Sequence, residues 1–145
     1  MNHYLNKPVR EIMTKEVVTV EPQAVMTSVA QIFETATFHH VPVVKDKEPI
    51  GIISKHDFNL LLGSRTLFKM ENYDKINKRW LSALTASDVM SKDPVCMHPD
   101  DLIANALEAF LINRYHAILI CEYKELVGIL TPFDILRMFK NASSV

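Results

Sequence analysis

Glycine is scarce, three residues in a chain of 145, and that scarcity removes the flexible turns on which phosphate loops and dinucleotide folds depend. No nucleophile elbow, P-loop or G-x-G-x-x-G turn occurs, so catalysis is not expected. Charge of one sign is lacking too: sixteen Lys and Arg against seventeen Asp and Glu leave a formal net charge of −1, without the field that gathers nucleic acid or an anionic membrane surface. No apolar run approaches the roughly 18 residues of a membrane span, and the opening MNHYLNKPVR does not read as a leader. The expectation is a cytoplasmic protein with no nucleic-acid or membrane partner. The two cysteines, Cys96 and Cys121, have no zinc or redox spacing and fall in apolar, strand-like segments, where buried reduced thiols are expected. His3, His39, His40, His56, His98 and His116 include no metal-ligand spacing, so no metal site is expected.

What is present is an internal repeat. With 48% hydrophobic and 23% charged residues the chain is that of an ordinary globular protein, and its core is divisible into two similar halves. Writing Val9 to Phe58 above the segment that begins at Ala86 aligns Met13 with Met90, Pro22 with Pro99, Phe33 with Phe110, His39 with His116, Gly51 with Gly128 and Asp57 with Asp134, without a gap. Residue classes agree at most other positions.

Each copy predicts the order β-α-β-β-α. A short helical turn (Val9 to Met13; Ser87 to Met90) leads into a brief strand, Val17 to Val20 or Val95 to Met97. A helix follows, with Met26, Val29, Ala30 and Phe33 in the first copy and Ile103, Ala106, Leu107, Phe110 and Leu111 in the second falling on one stripe at helical spacing. Two aliphatic runs, Val41 to Val44 and Ile50 to Ile53, then Ile118 to Cys121 and Leu126 to Leu130, read as paired strands; the first two flank a polar turn, Lys45 to Pro49. Closing helices begin near Lys55 and Pro132, where proline suits a first helical position. The resulting domains are a first repeat over 9–62, a helical linker over 63–86 and a second repeat over 87–140. Within the linker Tyr73, Ile76, Trp80 and Leu84 share a face, read as packing on the parent module or as a dimer interface, with Glu71, Asp74, Lys75, Lys78 and Arg79 around the remainder. Gly63 and Ser64 are expected to interrupt the helix before that stripe.

The strongest local signal is G-h-h-S/T-x-x-D, with h aliphatic: Gly51-Ile52-Ile53-Ser54-Lys55-His56-Asp57, and Gly128-Ile129-Leu130-Thr131-Pro132-Phe133-Asp134. Taken singly, each S/T-x-x-D is a helix cap, with its carboxylate favoured by the helix dipole. Taken together with the repeat, with Ile12-Met13-Thr14 and Val89-Met90-Ser91, and with Val41-Pro42-Val43-Val44, the arrangement resembles the cystathionine β-synthase (CBS) domain family over nearly the whole chain.

The resemblance implies an α/β fold of two pseudo-twofold-related repeats packed through their sheets into one module, with clefts that hold adenosine derivatives. It implies that Asp57 and Asp134 accept hydrogen bonds from ribose hydroxyls, which an acceptor-only carboxylate can do. Ser54 and Thr131 then contact phosphate at a helix start, with His39, His40 and His116 nearby. The matching adenine walls are Val17, Val18, Val41 and Pro42 in one half and Val95, Ile118 and Leu119 in the other; these residues are equally simple core. The family's better-known nucleotide sensors carry His-Arg where this chain has His39-His40 and His116-Ala117, which weakens polyphosphate binding because imidazole lacks the permanent bidentate charge of a guanidinium. Lys55, His56 and Arg114 stand close enough in sequence to compensate. The implied ligand is an adenine nucleotide (AMP, ADP or ATP) or S-adenosylmethionine, bound for regulation, with no cofactor required. The implied partners are a second copy, as a homodimer, and an unidentified effector protein. The alternative is a structural dimerisation module whose nucleotide clefts are vestigial.

Overall fold

The structure, a computed structural model, describes residues 2–63, 73–112 and 114–142, with the backbone alone described at residue 2 and over 73–76. The chain forms two compact units: one takes residues 18–93, the other residues 1–17 together with 94–145.

In the 18–93 unit, helix α2 (Met26–Thr35) leads to strands β1 (His40–Lys45) and β2 (Glu48–Ser54), then to α3 (Lys55–Gly63), α4 (Tyr73–Leu81), the short α5 (Ala86–Val89) and strand β3 (Ser91–Lys92). The sheet order is β1-β2-β3. Val20 bridges Val43 in parallel, so the expected strand at Val17 to Val20 is reduced to one bridge. The other unit holds α1 (Asn2–Leu5), a 3-10 turn at Val9–Glu11, strand β4 (Cys96–Met97), α6 (Ile103–Leu111), strands β5 (Ile118–Glu122) and β6 (Glu125–Leu130), and α7 (Pro132–Ala142). Its sheet order is β4-β5-β6, with β4 parallel to β5.

The apolar stripes read from the sequence form these cores. Met26, Val29 and Phe33 of α2 pack with Val41 and Val43 of β1, Ile53 of β2 and Phe58 of α3; the Phe33 and Phe58 rings lie 5.7 Å apart. The aligned residues of the second repeat, Ile103, Ala106, Ile118, Ile120, Leu130 and Ile135, make the other core. Leu111, expected on the buried stripe, is instead 74% exposed, because it stands in the last turn of α6. In the linker Trp80 and Leu84 pack against the first core and Leu81 is buried within it. Ser64 and Glu71 lie outside the described residues, as do the side chains of Tyr73, Asp74, Lys75 and Ile76.

One residue in each core belongs by sequence to the other repeat. Ala86, from the opening of the second copy, is buried with the first core, and Val9, its aligned partner, is buried with the second. The exchange continues along both openings: Ser91 and Lys92 pair with Ile52 and Gly51 of β2, while Thr14, aligned with Ser91, exchanges two backbone hydrogen bonds with Ile129 at 2.9 Å. The conserved-looking symmetry has a steric cause. A Cβ on Gly51 would collide with the Met90 side chain and come within 2.9 Å of the Ser91 carbonyl; on Gly128 it would meet Met13 and lie 3.1 Å from the Thr14 carbonyl. Both glycines are therefore required for close approach rather than for a turn.

The hairpin turns carry no glycine. Asp46 and Lys47 have φ of 51° and 68°, and Tyr123 and Lys124 have 51° and 67°, which is the two-residue geometry that matches strand twist but costs a side-chain-bearing residue about 1 kcal/mol each. The polar turn expected over Lys45 to Pro49 is thus shorter, because β1 runs to Lys45 and β2 restarts at Glu48.

Two outcomes follow for equilibrium urea denaturation. Gly128→Val lowers stability by about 1–3 kcal/mol through overpacking against Met13 and Thr14; an unchanged midpoint contradicts the close approach. The double change Asp46→Asn with Lys47→Gly raises stability by about 1 kcal/mol, and a fall contradicts the strain assigned to that turn.

Candidate functional site

The two S/T-x-x-D segments begin α3 and α7, where a strand ends and amide groups point out of the first helical turn. Their hydrogen bonding differs. At the first, the Asp57 amide donates to Ser54 Oγ at 2.9 Å, the ordinary service of a cap. The Ser54 hydroxyl keeps its own proton for another acceptor. Asp57 is exposed, and among the described residues its carboxylate has no hydrogen-bond partner.

At the second, the carboxylate turns inward. Asp134 is 4% exposed, and its Oδ2 accepts from the Thr131 amide at 2.8 Å and from the Thr131 hydroxyl at 2.9 Å. Its Oδ1 faces Thr14 Oγ1 at 3.5 Å and the Arg137 guanidinium at 3.6 Å. The Thr131 hydroxyl proton is therefore spent on Asp134 Oδ2, while Oδ1 is left to Thr14 and Arg137.

A third S/T-x-x-D, Thr85-Ala86-Ser87-Asp88, was not singled out by the sequence because no glycine-led strand precedes it. Its Asp88 Oδ2 accepts from the Thr85 amide at 2.8 Å and the Thr85 hydroxyl at 2.9 Å, the same pair of bonds as at Thr131. These bonds, the amide first, hold the Asp88 carboxyl below its usual range. That contribution to stability is present above the ordinary carboxylate pKa and is lost as pH falls through the depressed folded value.

The remaining candidates divide in the same way. His40 on β1 lies opposite Ser54 on β2, and the His39 carbonyl accepts the Lys55 amide at 2.7 Å, so both histidines flank the start of α3. His39 is exposed and His40 half-buried. The Lys55 ammonium donates to the Phe33 carbonyl at 3.3 Å, near the end of α2. Val41 and Pro42 are buried, Val17 is half-buried and Val18 is 45% exposed. In the second unit His116 is exposed and has no hydrogen bond to Thr131 or Asp134 among the described residues. Ile118 and Leu119 are buried, Val95 is half-buried, and the Leu119 amide donates to the Val95 carbonyl at 2.9 Å.

Beside Asp57 lies an open cleft of about 520 Å³, lined by Leu60 and Leu61 of α3, Trp80 of α4, Leu84, and Asp88 and Val89 of α5. Its size is within the range of small-molecule sites. It combines an aromatic face, aliphatic walls and two carboxylates. Trp80, Leu84 and Asp88 reach it because the linker and the second repeat's opening pack onto the first repeat's core; the linker's apolar stripe signals that packing for Trp80 and Leu84, whereas no local motif signals it for Asp88.

Comparison with known proteins agrees with the repeat and the fold. A family model of the CBS domain matches residues 9–63 and again residues 86–141. An uncharacterized protein of Methanocaldococcus jannaschii is 28% identical over 137 residues, covering 94% of this chain and 40% of that protein; the chain spans less than half the length of the first curated relatives it matches. The CBS-pair protein CBSX2 from Arabidopsis thaliana superposes with a TM-score of 0.79 at 18% identity, covering 97% of this chain and 99% of that one, and CBSX2 has also been solved in complex with AMP, with a TM-score of 0.76 at 18% identity over 94% and 98% of the two chains. A further CBS domain pair, solved with 5′-methylthioadenosine and S-adenosyl-L-methionine, superposes with a TM-score of 0.70 at 20% identity over 93% and 97%. No helix among the described residues is long and apolar enough to cross a membrane. With the duplicated motif, the two matching α/β units and both halves matched by one family model, the chain belongs to the CBS domain family.

Proposed function

We propose that this chain is a regulatory module that senses an adenosine-containing ligand through its first S/T-x-x-D segment, while the second serves as a helix cap. The carrying observation is the contrast between Asp57, exposed beside a cleft with no carboxylate partner among the described residues, and Asp134, buried and bonded to Thr131. Two solved relatives of the same fold hold AMP, or 5′-methylthioadenosine with S-adenosyl-L-methionine, which supports the ligand class. Asp57 takes the two ribose hydroxyls, a vicinal diol matched to two carboxylate oxygens. Ser54 donates its hydroxyl proton to the 5′ substituent, with His39 and His40 alongside.

Charge selects within that class. The cleft bears the carboxylates of Asp57 and Asp88, and the Lys55 ammonium is held at Phe33. Polyphosphates are therefore disfavoured, and a nucleoside or a cationic sulfonium such as S-adenosylmethionine is favoured, the sulfonium gaining from an indole face. AMP falls between them. The exposed apolar side chains Leu60 on α3 and Phe133 and Leu136 on α7 support pairing of two chains into a homodimer that passes the ligand state to a separate effector protein. A ligand shifts such an equilibrium only through its different affinity for the two states.

The test is a thermal-shift and calorimetric series with S-adenosylmethionine, 5′-methylthioadenosine, AMP, ADP and ATP. At a hundred times its Kd a true ligand adds about 2.7 kcal/mol to folding stability, and one site per chain is expected. Silence across the panel at millimolar ligand supports the structural dimerisation module instead. Two variants then separate binding from capping. Asp57→Ala weakens binding at least about tenfold, the loss of a charged hydrogen-bonding group, with stability changed by less than about 0.5 kcal/mol. Asp134→Ala costs about 1–2 kcal/mol of stability by stripping the Thr131 amide of its acceptor and leaves affinity unchanged. The reverse pattern reassigns the ligand to the second segment.

A further inference from the structure

The two cysteines are not the buried thiols expected from their apolar surroundings. Strand β4 lies at an edge of its sheet and its Cys96 is exposed, while Cys121 on the central strand β5 is half-buried; β4 runs parallel to β5, with Cys96 opposite Leu119 and Met97 opposite Ile120. Cys121 follows two residues after Leu119. The Cys121 and Cys96 sulfurs are 3.2 Å apart, in contact on two neighbouring strands. Nothing in the shared fold requires thiols there: the aligned positions of the first repeat hold Thr19 and Val44, and the rest of the core pattern is common to both halves. The second repeat has thus acquired a pair of mutually touching thiols, one of them open to solvent, that the first repeat lacks.

We propose that Cys96 and Cys121 form a site of reversible dithiol–disulfide modification, oxidised by hydroperoxides. The exposed Cys96 thiolate attacks the terminal peroxide oxygen. The O–O bond breaks, the Cys96 sulfur becomes a sulfenic acid, and the leaving oxygen departs as an alcohol or water after taking a proton. Cys121 then attacks the Cys96 sulfur, the S–O bond breaks, and the hydroxyl leaves as water with a second proton. Two thiols and one hydroperoxide give one disulfide, one alcohol or water and one further water; two electrons pass from sulfur to oxygen. The approach from contact to a bonded separation of about 2.05 Å is accommodated by β4, a two-residue edge strand. The product ties that edge covalently to the centre of its sheet.

The test uses the full chain treated with stoichiometric hydrogen peroxide, followed by intact mass and peptide mapping without reductant. The expected result is loss of two hydrogens, one peptide pair joined through Cys96 and Cys121 within a single chain, and recovery of the starting mass with dithiothreitol. Cys96→Ser and Cys121→Ser each abolish the cross-link while keeping the parent circular dichroism spectrum, and in the oxidised parent the β4 amides exchange with solvent roughly tenfold more slowly. Addition of oxygen without a cross-link, or a link only between chains, overturns the assignment. None of these readouts requires a nucleotide, so the result is independent of the sensing role.

Discussion

The close passage of Met13 over Gly128 and of Met90 over Gly51 is the constraint on which the two sheets depend. At each crossing the opening segment of one repeat lies against the second hairpin strand of the other, near enough that a single methyl group has no room. The methionines suit this position because an unbranched thioether can lie flat along a backbone that offers no side chain. With the approach made, Thr14 and Ser91 reach hydrogen-bonding distance of Ile129 and Ile52, and Val9 and Ala86 enter the opposite cores. Everything that later distinguishes the candidate sites is built on this exchange, including the presence of Thr14 beside Asp134 and of Asp88 beside Asp57.

Three S/T-x-x-D segments in one chain give an internal control on what such a segment does. Thr85-Asp88 and Thr131-Asp134 adopt the same closed form, each carboxylate accepting from the amide and hydroxyl of the threonine three residues before it. Ser54-Asp57 stays open, with only the serine oxygen occupied among the described residues. Repetition of a motif therefore conveys a shared backbone, while the direction of one side chain decides whether its carboxylate is taken up by its own helix start. Divergence between the halves, already visible at His40 against Ala117, extends to this level.

The fold was largely legible because both repeats carry the same apolar spacing: residues such as Met26, Val41 and Phe58 in one copy and Ile103, Ile118 and Ile135 in the other occupy equivalent buried positions. Less legible was anything decided by contacts distant in sequence. Periodicity identifies that Val9 and Ala86 are core but not whose core, so the exchanged openings leave no local trace. The exposure of Cys96 follows from β4 lying at a sheet edge, a property of strand order rather than of composition. The difference between Asp57 and Asp134 lies in the burial and hydrogen bonding of the carboxylate, which the shared S/T-x-x-D pattern does not specify. The conformation of the hairpin turns, though not the place of the first, was obscured for another reason: Asp46-Lys47 and Tyr123-Lys124 adopt left-handed backbone without the asparagine or glycine that advertises it.

The bridge between Thr14 and Ile129 bears on how the molecule is made. A contact spanning more than a hundred positions can form only after nearly all the intervening polypeptide has left the ribosome, and its closure entropy must be met before the strand pairing repays it. The 18–93 unit, whose partners are nearer neighbours along the chain, can mature first. During that interval Val9 and Met13 wait uncovered, and their unit closes only when Ile129 and its neighbours arrive to cover them.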